Sequence, residues 1–174
     1  MAKYEFKRTA RKCYETQREF DRGEEFFSAL IDTDAGPERR DFGHDIWKGP
    51  ADDCIGWWKS TVPLLEAGRV YWAPSDVLLA YFENLASKAI KDATYVMGLL
   101  LVRKRLLQLV ETDDEAEGGP LMILRNRKTK EKIEIPVVEL TAERMIQIQD
   151  ELAENLFMDR PDGAAADDDA QPMD

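Results

Sequence analysis

The sequence predicts an α+β fold, in which strands are followed by helices, by a second set of strands and by a final helix. Residues 1–62 contain short runs of bulky and β-branched side chains between Gly and Pro turns, a pattern typical of strands. Residues 74–105 instead place apolar side chains three and four positions apart, which is the spacing of a helix face. Residues 106–137 alternate between apolar and polar side chains, and helical spacing returns from 142 to 157.

We therefore expect a Trp-rich N-terminal lobe of short antiparallel strands, two central helices, and a three-stranded antiparallel sheet packed by a C-terminal amphipathic helix. Residues 1–158 are expected to form a single globular domain, because neither the β-rich lobe 1–73 nor the α/β lobe 74–158 has much apolar surface to bury alone. Residues 159–174 hold six Asp and one Arg with little to bury, which predicts a disordered acidic tail.

The charge and the cysteine content argue against several classes of protein. The chain carries 24 Lys and Arg against 35 Asp and Glu, so its formal net charge is −11 and a surface that is basic throughout is excluded. Cys13 and Cys54 are too few for a disulfide framework. The sequence has no apolar run of about 18 residues and no apolar segment of a secretory signal. We therefore expect a cytoplasmic protein without membrane contact.

Three strands are predicted in the N-terminal lobe. Residues 25–32 form the first, because Gly23 and the turn at 34–37 bracket them tightly. Residues 39–42 return beside it, and residues 54–62 add a strand rich in aromatic and β-branched side chains. Two adjacent Trp residues on this last strand must point to opposite faces of the sheet.

Helices and strands alternate in the rest of the chain. The second central helix is expected to run to about Arg105, and its wide apolar face predicts that it is the most buried helix. The strands within residues 106–137 enclose a mobile acidic loop at 111–117, and the last helix is long enough to lie across them. Capping side chains at the helix starts are expected at Ser75, Asp92 and Thr141.

Four Trp residues within 26 positions form the first candidate binding site. Trp side chains are typical anchors of protein interfaces, because each buries a large apolar area at one contact. The alternative is that a small lobe uses the same rings as its core. The hypothesis of a partner-binding surface names Trp47, Trp57, Trp58 and Trp72, flanked by Arg40 and His44.

A basic turn forms the second candidate site. Residues 125–130 contain four cations, and residues 103–105 are a second positive run. Contacts to phosphate need only local charge, so the acidic total does not exclude them. The alternatives are a solvated turn that keeps edge strands from pairing, or an acidic segment of the same chain that covers the cations. The hypothesis of a nucleic-acid- or ribosome-associated factor names Arg125, Arg127, Lys128 and Lys130.

Cys13, His44 and Cys54 are the candidates for metal binding or thiol catalysis. Zinc usually takes four thiolate or imidazole ligands, but the chain has one His and no C-x-x-C pair. The spacing Cys13-x-x-Thr16 resembles a zinc-ribbon knuckle that lost ligands, and a degenerate zinc-ribbon-like module is one alternative. Two isolated thiols and a turn histidine are the other. Signatures of nucleotide-binding loops, serine hydrolases and zinc proteases are absent, so we expect no metal, no cofactor and no catalysis.

Six short segments carry a resemblance that spans most of the folded part. They are GEEFFSAL at 23–30, WKGP at 47–50, GWWKS at 56–60, WAP at 72–74, LLVRKR at 100–105 and ELAENLF at 151–157. In this order they resemble an uncharacterised family of small conserved hypothetical proteins from planctomycete-type bacteria. The resemblance implies a stand-alone bacterial cytosolic protein and carries over no catalytic residue. The leading hypothesis is thus a non-catalytic protein-interaction or adaptor protein.

Overall fold

The described part of the chain contains three helices and eight strands in three antiparallel sheets, so the predicted α+β class is confirmed. The computed structural model describes residues 11–62 and 71–158, and the tail predicted at 159–174 lies outside them. The elements are β1 Glu25–Thr33, β2 Gly36–Gly43, β3 Cys54–Thr61, β4 Tyr71–Trp72, α1 Ser75–Ser87, α2 Lys91–Arg103, β5 Leu107–Asp113, β6 Leu121–Asn126, β7 Lys132–Pro136, α3 Ala142–Leu156 and β8 Phe157–Met158. None of these helices is long and apolar enough to cross a membrane.

The first sheet has the strand order β2-β1-β3, and both strand pairs are antiparallel. Gly36 closes the tight turn between β1 and β2 with a φ of +118°, a conformation that glycine adopts at little cost. A Cβ at this position would lie 2.8 Å from Ile90 Cδ1, so the turn packs directly against the start of α2. The two adjacent Trp residues of β3 point to opposite faces as predicted, since Trp58 is 3% exposed and Trp57 45%.

The predicted N-terminal capping residue is confirmed for α3 and is wrong for α1. Thr141 caps α3, because its side chain accepts a hydrogen bond from the N–H of Arg144. Ser75 is not the cap of α1: the helix starts at Ser75 itself, and the Pro74 carbonyl already accepts the first helical hydrogen bond, from the N–H of Leu78. The proline supplies no N–H that needs a partner, so the helix begins one residue earlier than expected.

Asp92 lies inside the first turn of α2, and the N-cap position belongs to Ile90. One carboxylate oxygen of Asp92 accepts from the N–H of Ala93 at 2.7 Å, and the other accepts from Nε of Arg144 on α3 at 2.7 Å. The hydrogen bond from Arg144 lowers the pKa of Asp92, although burial opposes this shift. The negative charge is therefore favourable at the helix start, as predicted, and it also fixes α3 against α2.

The second sheet has the strand order β5-β6-β7 and buries Met122, Leu124 and Ile135 on one face. The larger contact with this sheet comes from α2, which packs on β5 and β7, whereas α3 packs on α2, β2 and β8. The approach of α2 is close because Gly98 has no side chain: a Cβ there would lie 2.7 Å from Ile135 Cδ1. Ile148 of α3 still belongs to the same apolar core as these residues.

Strand β5 continues into the segment that the sequence assigned to an acidic loop. Glu111 pairs with Ile123 and Asp113 pairs with Leu121, after a bulge that follows Leu109. The expectation of a loop from residue 111 is therefore wrong at its start. Acidic side chains on the solvent face of an antiparallel sheet do not prevent pairing, so the connection begins only after Asp113.

A buried ion cluster joins the first sheet to the end of α3. Arg39 donates hydrogen bonds to Asp41 Oδ1 at 3.0 Å and to Ser28 Oγ at 2.9 Å. Its Nη1 also donates to the carbonyl oxygens of Glu154 and Phe157. Carbonyls at a helix C-terminus carry a partial negative charge, so a guanidinium is stabilising there. The two lobes are thus joined by polar contacts as well as by a shared apolar core.

Candidate functional site

Five aromatic side chains cover the outer side of the first sheet, which faces away from the core. They are Tyr14, Phe27, Phe42, Trp47 and Trp57, and together they are termed the aromatic face. Trp47 is central: its ring stacks on Phe27 at 5.2 Å and lies 5.8 Å from Trp57 and 5.5 Å from Phe42. Tyr14 extends the row at 6.1 Å from Phe42. Ring pairs at such distances attract one another, so the five rings form one connected cluster.

The strand register explains why these rings lie side by side. Phe27 of β1 pairs with Phe42 of β2, and Trp57 of β3 lies two positions further along the same face of the sheet. Trp47 follows β2 in a turn, where its N–H donates to the Gly43 carbonyl at 3.0 Å. This turn folds the chain back, and the indole therefore lies over the ring of Phe27.

The aromatic face is most open to solvent at Trp57, which is 45% exposed, and at Tyr14, which is 46% exposed. Phe27, Phe42 and Trp47 between them are half-buried. Leaving large rings in water costs free energy, because their apolar area is not removed from solvent. A connected group of partly exposed rings is therefore typical of an interaction surface.

Paired cations border the aromatic face. The guanidinium of Arg40 lies 4.4 Å from the ring centroid of Tyr14, a cation–π contact, and pairs with Glu38 at 3.0 Å. Lys59 pairs with Glu25 at 3.1 Å across β3 and β1. The border of the site is thus charged and its centre is apolar, which is the usual anatomy of a protein interface.

Four of the six residues predicted for a partner-binding surface lie at this face. Trp47, Trp57 and Arg40 belong to the cluster or its border, and His44 is exposed with its ring 5.9 Å from that of Phe27. The other two predicted residues, Trp58 and Trp72, lie elsewhere.

Trp58 is a correction to the predicted surface, and Trp72 lies on a different part of the molecule from the aromatic face. Alternation along β3 turns Trp58 inward, where it is part of the core and lies 5.0 Å from the guanidinium of Arg39. Trp72 lies on β4, which pairs with β8, and its half-buried ring packs edge-on against Phe157 at 4.4 Å. Both rings stabilise the fold, and neither contributes to the aromatic face.

The residues predicted for the partner-binding surface did not include Phe27, Phe42 or Tyr14. A signal existed for Phe27, since alternation in the predicted strand 25–32 places it opposite the core residues of β1. Phe42 needs the register, which depends on the turn at Gly36. Tyr14 is held by a backbone hydrogen bond from its N–H to the Asp41 carbonyl at 2.7 Å, and no local pattern indicates that contact.

The two thiols lie in different environments. Burial disfavours ionisation of Cys13, but hydrogen bonds from the Thr16 side chain and from the backbone N–H groups of Gly43, Thr16 and Glu15 outweigh it and lower its pKa. Burial raises the pKa of the half-buried Cys54. Within the described ranges, no group of three His, Cys, Asp or Glu side chains is placed to hold a metal ion. The zinc hypothesis therefore gains no support from this region.

Two cavities within the described residues could hold a small molecule. One of about 250 Å³ borders the aromatic face at Tyr14 and Arg40 and is otherwise lined by polar residues such as Arg39 and Asp41. The other, of about 400 Å³, lies between the β1–β2 turn and the helices α1 and α3. Neither is lined by Trp47 or Trp57. Small molecules are usually held in concave sites, whereas a face on the pleated side of a sheet suits the broad surface of a macromolecule.

The cations predicted to contact nucleic acid lie at one end of the second sheet, beside the end of α2. The N–H of Arg127, in the β6–β7 turn, donates to the carbonyl of Leu106 at 3.3 Å, which brings the two basic runs of the sequence together. The seven cations of this region, termed the basic end, are Arg103, Arg105, Arg125, Arg127, Lys128, Lys130 and Lys132.

No protein-family model matches the chain, and no curated protein or solved structure is significantly similar to it. The resemblance to uncharacterised proteins of planctomycete-type bacteria therefore stays a prediction.

Proposed function

We propose that this protein is a non-catalytic interaction protein of the bacterial cytosol that binds a partner protein through the aromatic face. The observation that carries the proposal is the connected ring cluster on the solvent side of the first sheet. Trp57 is 45% exposed in this cluster, although the core has aromatic residues of its own, such as Phe26 and Phe82, that are fully buried. An adaptor or interaction protein needs such a surface and needs no reacting group.

The chemistry of the aromatic face defines the kind of partner surface that it fits. Trp47 and Trp57 offer apolar area to an aliphatic or aromatic side chain, which would cover the exposed indole edge. Arg40 and Lys59 stand at the border as paired cations, so acidic side chains of a partner would compete with Glu38 and Glu25 for them.

The mutual stacking of the rings also supports tight binding. Trp47 and Phe27 lie 5.2 Å apart with an angle of 11° between their planes, so each ring limits the rotation of the other. A side chain that is already held in its bound orientation loses less entropy when a partner docks. The aromatic face is therefore preorganised for association.

A comparison of captured partners tests this proposal. The full chain, a Trp57→Ala variant and an Ile146→Ala variant are immobilised, and the proteins captured from a host extract are identified and titrated. Ile146 on α3 is the matched control, because it is also 45% exposed but lies outside the aromatic face.

We expect one stoichiometric protein partner whose Kd rises about 30-fold in Trp57→Ala, the loss expected for a hot-spot residue of roughly 2 kcal/mol. The Ile146→Ala variant should bind within twofold of the unchanged chain. Equal capture by the Trp57→Ala variant, or a larger loss in the control, would overturn the proposal.

A further inference from the structure

The basic end concentrates positive charge in an acidic protein. Residues 103–106 and 125–132 contain eight cations and one carboxylate, that of Glu131, in a chain whose formal net charge is −11. The Glu131 side chain accepts a hydrogen bond from Thr129 within the turn. Six of the seven cations of the basic end are exposed, and Arg125 is half-buried.

Among the described residues, these cations differ from those of the N-terminal lobe in having no paired carboxylate. Within the described parts of the chain, no cation of the basic end forms an ion pair. Arg11, Arg18, Arg39 and Arg40, by contrast, each pair with a carboxylate. Among the described residues, the positive charge of the basic end is therefore not neutralised by a paired carboxylate.

Two of the cations occupy strained backbone positions. Arg105, two residues after the end of α2, has a φ of 62°, and Lys130, two residues before the start of β7, has a φ of 66°. This left-handed conformation favours glycine, which is the residue most often found just past a helix end. Arginine and lysine are less stable than glycine at such positions. The positive charges at Arg105 and Lys130 are therefore present at the expense of conformational stability.

The β6–β7 turn that presents the cations is well ordered by hydrogen bonds. Asn126 is buried, and its side-chain oxygen accepts from the N–H groups of Lys128 at 2.9 Å and Thr129 at 3.2 Å. Its carbonyl accepts from the N–H of Lys130 at 2.9 Å. The charged side chains therefore extend from a fixed backbone.

The acidic connection between β5 and β6 lies at the opposite end of the sheet. Strand β6 runs from Leu121, next to that connection, to Asn126, next to the basic turn. Six strand residues span about 20 Å. Surface charges interact weakly beyond a Debye length of about 8 Å at physiological salt. The acidic residues 113–117 thus do not neutralise the basic end, so the alternative in which this loop covers the cations is wrong. The same alternative for the acidic tail falls on 159–174, outside the described residues.

We infer that the basic end is a second binding site, separate from the aromatic face, which takes the phosphate backbone of double-stranded nucleic acid. Four of its seven cations are arginines, whose planar guanidinium groups bind phosphate oxygens in pairs. Binding at this site depends on the charge of the phosphates and the shape of the duplex, and its affinity does not depend on base sequence.

The surroundings of the cations favour a duplex over other polyanions. None of the exposed large apolar side chains belongs to residues 103–106 or 125–132. The site therefore has no apolar anchor to insert into a lipid bilayer. The Trp72 ring beside Lys104 is half-buried with Phe157 packed edge-on against it, so the described residues offer no fully exposed ring here on which the bases of a single strand would stack. The phosphates of a duplex need neither.

Fluorescence anisotropy with labelled 20-base-pair DNA and RNA duplexes of mixed sequence tests the inference over a series of salt concentrations. The test variant is Lys128→Gln/Lys130→Gln in the full chain. The matched control is Lys12→Gln/Lys91→Gln, which removes the same charge at exposed positions outside the basic end. A Trp57→Ala variant separates this site from the aromatic face.

We expect binding of the full chain to weaken steeply as salt rises, and the slope of log K against log salt to become shallower by about 2 in the test variant. Affinity at about 100 mM salt should fall roughly tenfold in that variant. The control and Trp57→Ala should match the full chain.

Three results would overturn the inference. The first is no duplex binding at about 50 mM salt, and the second is an equal loss of affinity in the control variant. The third is preference for another anion: phosphatidylserine vesicles, polyaspartate or a single-stranded oligonucleotide bound more tightly than either duplex. Each leaves the proposal for the aromatic face untouched, because that proposal depends on Trp57.

Discussion

Arg39 and Asp41 form an ion pair with 3.0 Å between Nε and Oδ1, and their side chains are only 3% and 8% exposed. The pair lies two residues apart on β2, on the inner side of the first sheet. The Ser28 hydroxyl donates to the same carboxylate oxygen, and Nη1 of Arg39 reaches two carbonyls at the end of α3. Asp41 is thus the counter-charge of a buried cation that joins the two lobes.

Removal of this counter-charge is expected to be strongly destabilising. The Asp41→Ala variant leaves the guanidinium of Arg39 buried without its paired carboxylate, and breaking a buried pair in this way costs about 3–5 kcal/mol. Urea unfolding followed by Trp fluorescence measures the loss. The control is Glu38→Ala, which breaks the exposed pair with Arg40 and should cost less than about 1 kcal/mol. Similar losses in the two variants would contradict this account.

Gly98 sets the distance between α2 and the second sheet. The Gly98→Ala variant would place a Cβ 2.7 Å from Ile135 Cδ1 and 3.2 Å from Leu124 Cδ1. We expect a net loss of about 1–2 kcal/mol, because overpacking outweighs the better helix propensity of alanine.

A second substitution tests the cause of that loss. Ile135→Val removes the Cδ1 atom that the new methyl group meets, so the double variant should be more stable than the sum of the single changes predicts. Thermal unfolding of the four chains gives this coupling. Strict additivity would show that Gly98 is needed for another reason.

Asp92 gives the protein a defined dependence on acidic pH. The hydrogen bond from Arg144 lowers the pKa of Asp92 below its ordinary value of 3.8, against the opposing effect of burial. The folded state therefore favours the charged carboxylate. Its contribution to stability is complete above the ordinary pKa and is lost as pH falls through the lowered pKa of the folded state.

The Asp92→Asn variant isolates this contribution. The pair is partly exposed, with side chains 27% and 36% exposed, so screening limits the expected loss near neutral pH to about 0.5–1 kcal/mol. The difference in unfolding free energy should shrink toward zero as the pH is lowered below the ordinary pKa. A difference that stays constant from neutral to strongly acidic pH would exclude this explanation.

Replacement of Arg105 is expected to change stability and nucleic-acid binding in opposite directions. Its φ of 62° is the conformation of a helix-ending glycine, so the Arg105→Gly variant should be more stable by about 0.5–1 kcal/mol. The same variant lacks one cation of the basic end and should bind duplex nucleic acid more weakly. Chemical unfolding and anisotropy on one preparation check both effects. A loss of stability would show that the arginine side chain supports the fold directly.

The order of elements was predictable because each depends on local pattern. The alternation Lys132, Ile133, Glu134, Ile135 indicates a strand with one wet face, and the structure exposes and buries these side chains accordingly. Thr141 was predictable as a cap for the same reason, since the signal lies within four residues. Helix and strand positions therefore needed no knowledge of the tertiary fold.

Only some of the residues that form the aromatic face could be predicted, because their positions depend on pairing between distant segments of the chain. Trp57 and Trp58 must diverge on any strand, but only the packing of α1 against β3 decides which ring is buried. Phe42 reaches Phe27 through the register of β1 with β2, and Trp72 is half-buried beside a strand that follows the last helix. Sequence patterns specify faces, and long-range contacts decide which face meets solvent.

The bond from Arg39 to the Phe157 carbonyl joins residues 118 positions apart. The first sheet is synthesised long before β8. In a nascent chain the inner side of that sheet is therefore exposed, and the guanidinium of Arg39 lacks its carbonyl partner. Closure of the lobe becomes a late event of synthesis, since α3 and β8 have to emerge first. Until then, the incomplete chain depends on cellular factors that shield the exposed inner side of the first sheet.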